Sequence, residues 1–141
     1  MYAFYESAHT TFITNKGAND VNRQGHTSTE HHMMVYKKGV GSFEEKMPIF
    51  AEKYNNFTEQ CFKEGAISKK HKQLMALAMS IHAQDEYCII YHTKGCIDHG
   101  CSEEELLEAV SVATAFGSGA ALSQGATLVQ EAYRELDNHV Q

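Results

Sequence analysis

Residues 73–122 read QLMALAMSIHAQDEYCIIYHTKGCIDHGCSEEELLEAVSVATAFGSGAAL. Leu74, Leu77, Ala78 and Ile81 recur at helical intervals, as do Leu106, Ala109, Val110, Ala113 and Phe116, so the stretch predicts helices rather than strands. Between them Asp85, Cys88, His92 and Cys96 follow at i, i+3, i+7 and i+11. On a helix these four share one stripe. A stripe ordinarily built from Leu and Val is here built from a carboxylate, two thiols and an imidazole. Punctuation agrees with the helices. Ser102 followed by Glu105 is a capping box, each side chain satisfying an orphaned N–H of the first turn. Glu103 and Glu104 suit the positive end of the helix dipole. Gly100 falls where a helix would stop in the left-handed conformation.

Working outward, Leu122, Ala126, Val129, Tyr133 and Leu136 continue the helical spacing. Ser68 is a candidate N-cap, Ser42 with Glu45 a second capping box, and Gly65 a second stop. Helices are predicted near residues 43–63, 69–83, 85–99, 103–116 and 119–138. Joined by short loops, they make an all-α antiparallel bundle of about five to six helices. Residues 1–40 are polar and weakly patterned and read as an N-terminal extension, with 41–141 as the helical domain. The small-residue run AFGSGAALSQGA over 115–126 fits either tight packing within the chain or a contact between subunits.

A chain of 141 residues is the size of one domain and long enough to bury a core. Hydrophobic residues make up 43% and charged residues 21%, a globular rather than a disordered balance. A net charge of −6 gives no basic footprint for nucleic acid. No uninterrupted apolar run approaches the roughly 20 residues that span a bilayer, so no membrane partner is expected. The opening MYAFYESAHTTF lacks the basic and apolar regions of a secretory signal. The cytoplasm is therefore the expected compartment, with Cys61, Cys88, Cys96 and Cys101 reduced.

Cys88 and His92 alone, four residues apart, would more often be packing residues than a site. The run 73–122, however, resembles the carboxymuconolactone decarboxylase / alkylhydroperoxidase D family. In that family a helix is followed by Cys-x-x-Cys-x-x-x-His, then Gly, an SEEE-like cap and an Ala/Val-rich helix. Cys88, His92, Gly100 and Ser102 match that order, and the layout extends over residues 43–136. The resemblance implies a helical protomer in a homo-oligomer, a trimer or hexamer, with pockets near subunit contacts. It centres the chemistry on Cys88 and His92. No cofactor is expected.

Two positions depart from the family pattern. Its first cysteine falls on Asp85, and its upstream glutamate on Gln73. Cys88 thus lacks the usual resolving thiol. Cys96 lies eight residues along the same helix, about 12 Å away, beyond the roughly 7 Å between Cα atoms that a disulfide tolerates. Asp85 favours the protonated Cys88 thiol, whereas a protonated His92 and the helix N-terminus favour thiolate; the sequence leaves the balance open. Asp85 could equally orient His92.

Three functions follow as expectations. In the first, Cys88 attacks a hydroperoxide, His92 moves the proton, Gln73 positions water or substrate, and an external thiol recycles the enzyme. The second is a lactone-type lyase using His92 and Asp85 as an acid–base pair. The third is a non-catalytic oligomeric scaffold. Tyr91 and His82 are the candidates to bind the small-molecule substrate, a hydroperoxide or a lactone. Asp85, Cys88, His92 and His82 have the chemistry of zinc ligands, but their spacing fits no zinc signature, and no metal is expected.

Overall fold

The computed structural model describes residues 27–137, and every regular element among them is helical. The helices are α1 (Ser28–Lys46), α2 (Pro48–Phe62), α3 (Lys69–Ala83), α4 (Glu86–Asp98), α5 (Glu103–Gln124) and α6 (Gln130–Asp137). A wide π-helical turn, Gly125–Val129, joins the last two. The chain forms two compact units, divided after Lys63. Residues 1–26, most of the stretch read as a polar extension, lie outside the described residues.

In the first unit α1 spans Ser28–Lys46 and so begins farther upstream than the weak apolar patterning suggested. Its capping box is Thr27 with Glu30. Ser42 and Glu45, read as a capping box, lie inside this helix. The helix predicted over 43–63 is two helices. Met47, at φ −131° and ψ 55°, breaks the run, and Pro48 opens α2 at its first position. Proline disfavours helical backbone in the residue before it and needs no hydrogen bond at the first helical position. Phe43 packs edge-on against Phe50, which stacks on Tyr54. Gly65 does not terminate α2 in the left-handed conformation; the helix leaves through Lys63 in extended backbone (φ −59°, ψ 140°).

The second unit is built around α3, which packs on both α4 and α5; α6 packs on α4. Ser68 caps α3 by accepting the His71 N–H, as predicted. Gln84 ends α3 in left-handed backbone (φ 57°). Asp85 caps α4, its carboxylate accepting the Cys88 N–H at 3.1 Å. Gly100 ends α4 at φ +72°. Its N–H bonds Ile97 O at 3.0 Å and the Cys101 N–H bonds Cys96 O at 2.9 Å, the paired bonds of a Schellman stop. Ser102 and Glu105 form the predicted capping box of α5. Leu77, Ile81, Ile89, Leu106, Val110 and Val129 are among the buried side chains of the core.

The predicted break after residue 116 appears as Ser118, whose backbone (φ 53°, ψ −142°) kinks α5. Two glycines of the small-residue run serve packing within the chain. A Cβ on Gly125 would lie 2.1 Å from Val110 Cγ1, and one on Gly117 2.7 Å from Ala121 Cβ. By length and composition alone the helical run Glu103–Asp137 is apolar enough to cross a membrane. Only 22% of its most apolar window is buried, through residues such as Leu106, Val110, Ala113 and Ala121 that join the core.

Candidate functional site

The candidate site lies along α4 where that helix packs on α3. Burial deepens along the predicted stripe. Asp85 is exposed, Cys88 half-buried, His92 8% exposed and Cys96 fully buried. Along this stripe the Asp85–Cys88 end meets solvent, and Cys96 sits in the core cluster.

Gln73, buried on α3, accepts a hydrogen bond through Oε1 from His92 Nδ1 at 2.8 Å. With Nδ1 carrying the proton, the neutral ring keeps its lone pair on Nε2. Burial drives the His92 pKa down to about 4, so the ring is neutral at physiological pH. Tyr91 sets its ring edge-to-face on His92, centroids 5.2 Å apart and planes at 87°. The group that orients His92 is therefore Gln73. Asp85 instead serves Cys88, bonding both its N–H and its thiol.

The balance left open for the Cys88 thiol is decided toward protonation. Burial first, and then the Asp85 carboxylate, push its pKa up to about 11. Passing a proton from this thiol (about 11) to His92 (about 4) is steeply uphill in the resting site. His82 is exposed in the last turn of α3, its Nδ1 over Gly117 of α5. Among the described residues no three His, Cys, Asp or Glu side chains gather to hold a metal.

Two features of α4 escaped the sequence reading, one of them at the site. Gly95 is what lets Gln73 in: a Cβ there would stand 2.5 Å from Gln73 Oε1 and 2.6 Å from its Cδ. The signal was a glycine inside a helix, three residues past His92, where it costs about 1 kcal/mol against alanine. Away from the site, Lys94, two residues past His92 and so on another face of α4, is buried and paired with Asp98 one turn on. Its spacing to Asp98 is legible; its burial is not, because a lysine on an amphipathic helix normally reaches solvent.

The chain is thus of the class of all-α proteins that carry a half-buried thiol and a buried imidazole one turn apart near a helix start. Within that class the chain belongs to the carboxymuconolactone decarboxylase family, whose sequence model matches residues 48–131. Among relatives, it is 40% identical over 60 residues to uncharacterized protein 4 in the cox locus of Paracoccus denitrificans. That match covers 43% of this chain and about half, 54%, of the relative's length. It is 20% identical over 93 residues to an uncharacterized protein of Cupriavidus necator, covering 66% of this chain and 82% of that one. Among solved structures, a carboxymuconolactone decarboxylase family protein from Legionella pneumophila, in its apo form, superposes with a TM-score of 0.74 at 27% identity. The superposition covers 77% of this chain and 96% of that one. A Thermotoga maritima protein of the same family, for which a role in antioxidative response has been suggested, shares the fold. Its TM-score is 0.61 at 23% identity, over 75% of this chain and 96% of that one.

Proposed function

We propose that this chain is a thiol-dependent, peroxidase-like oxidoreductase that acts through Cys88 alone and is recycled by an external thiol. The carrying observation is the Cys88 thiol, half-buried at the open end of α4, bonded to Asp85 and one turn from His92. In this reading the Cys88 thiolate attacks the peroxide O–O bond and becomes a sulfenic acid, with alcohol or water leaving. A thiol of the reductant then attacks the sulfenic sulfur and water departs; a second thiol frees Cys88. Because the thiol is held protonated, turnover is slow at neutral pH and climbs with pH toward about 11. Hydroperoxide consumption with a thiol reductant tests this: Cys88→Ser should abolish it. Equal turnover by both proteins would eliminate the role.

A second reading rests on a separate observation, the neutral His92 ring fixed by Gln73. With its lone pair on Nε2 such a ring can take a proton from a lactone or related small molecule as a general base, a weak one because burial lowers its proton affinity. Turnover surviving in Cys88→Ala but lost in His92→Ala would favour it over the thiol reading.

We place the chain in the cytoplasm as a homo-oligomer, a trimer or hexamer, binding neither membrane nor nucleic acid. A reducing compartment suits four unbridged thiols. The second unit leaves Met79 64%, Val112 57% and Phe116 80% exposed, side chains that a second copy of the chain would cover. Sedimentation measures it: a monomer at micromolar concentration would refute the assembly.

A further inference from the structure

Cys96 and Cys101 have no part in the site described above. Both are buried, at 0% and 6% exposure, and both sit in the core cluster. The Schellman stop of α4 brings them together. Cys96 is three residues before the cap His99 and Cys101 two residues after it, and the Cys101 N–H is bonded to Cys96 O at 2.9 Å. Those two positions of a Schellman stop usually share an apolar contact. Here both positions carry a thiol, each influencing the other's pKa. Cys101 also directly precedes Ser102, the N-cap of α5, and clusters with Leu106 in the core, in the relation of a hydrophobic staple. One residue thus closes α4 and opens α5, with a second sulfur against it. The Lys70–Glu105 ion pair, at 2.7 Å, acts on Cys101 in both directions, the Glu105 carboxylate raising its pKa more than the Lys70 ammonium lowers it.

We propose that Cys96 and Cys101 are a second, separate redox site: a dithiol that a small hydroperoxide closes into a disulfide, stapling the corner between α4 and α5. The Cys101 sulfur attacks the peroxide, forming an S–O bond as the O–O bond breaks, and the alcohol leaves with the thiol proton. The Cys96 sulfur then attacks the sulfenic sulfur. An S–S bond forms, the S–O bond breaks, and water leaves with the second proton. Two electrons pass to the peroxide, giving one alcohol and one water per disulfide. Burial holds both thiols above their ordinary pKa, so closure is slow and stoichiometric, a modification rather than a turnover. It needs neither Cys88 nor His92 and stands independently of the function proposed above.

The full chain itself offers a clean readout. Trypsin leaves Cys61 in peptide 54–63, Cys88 in peptide 73–94, and Cys96 with Cys101 in peptide 95–134. Folded protein is treated with hydrogen peroxide, denatured, alkylated and digested. Peptide 95–134 should lose about 2 Da and refuse alkylation, in the wild type and equally in Cys88→Ser. Prior reduction should restore both alkyl groups. The wild-type measurement needs no substitution in the core, and Cys101→Ser should leave Cys96 fully alkylated. A peptide 95–134 that stays doubly alkylated while Cys88 oxidises would overturn the proposal. So would over-oxidation without a bridge, or a disulfide joining either residue to Cys88, Cys61 or another chain.

Discussion

At Cys88 one carboxylate does two things at once. Asp85 caps α4 through the Cys88 N–H and faces the Cys88 thiol, raising its pKa. Asparagine caps a helix as well as aspartate but carries no charge. Asp85→Asn should therefore keep the fold and lower the Cys88 pKa. The expected result is alkylation on the order of five- to tenfold faster at pH 8, followed by mass spectrometry of peptide 73–94. An unchanged rate would mean that burial alone holds the proton. The second residue-scale prediction concerns Gly95. Gly95→Ala should push Gln73 off His92, leaving Nδ1 buried without that acceptor. Losing the bond costs about 1–3 kcal/mol, partly offset by about 1 kcal/mol of better helix propensity. Nitrogen NMR of the imidazole should show the tautomer preference lost. The pairing of Cys88 with His92 on one helix turn was legible from spacing alone. The bond between Gln73 and His92 was not, because it crosses helices and depends on a missing side chain at Gly95.

Among the elements, α3 and α4 were legible to within a residue because Ser68 opens the first and Gly100 closes the second, while the Asp85 cap of α4 went unread. The N-terminal helices were not. Ser42 and Glu45 have the spacing of a capping box, yet Thr27 and Glu30 have it too and win the position. Pro48 then decides where the two helices part. In α5 the break was visible as a cluster of glycines and small residues, though the residue that takes the unusual backbone is Ser118 rather than a glycine. With φ 53° and ψ −142°, that backbone strains any side chain. Ser118→Gly should relieve it and raise stability by about 1 kcal/mol, read as a higher urea midpoint. A lower midpoint would mean that the serine side chain is itself needed at the kink.

For the molecule as a whole, the buried imidazole makes stability depend on acid. His92 has its proton affinity lowered from the ordinary 6.5 to about 4 in the folded chain, so the unfolded chain binds a proton that the folded one rejects. Stability is full above pH 6.5 and falls as pH drops from 6.5 toward 4. The loss reaches about 3 kcal/mol. Urea unfolding at pH 7 and pH 4.5 measures it, and His92→Gln should flatten that part of the profile. At the same scale, the wide turn Gly125–Val129 sets how the chain finishes. It carries a surplus residue relative to an ordinary helix, and past it Ala132 and Leu136 are buried on α6, which packs on α4. Deleting one residue from 125–129 would leave a smoother helix and a worse protein. Everything downstream would swivel by about 100°, bringing Ala132 and Leu136 out to water and polar neighbours in. A shortened chain of this kind should lose its cooperative melting before it loses its helical circular dichroism.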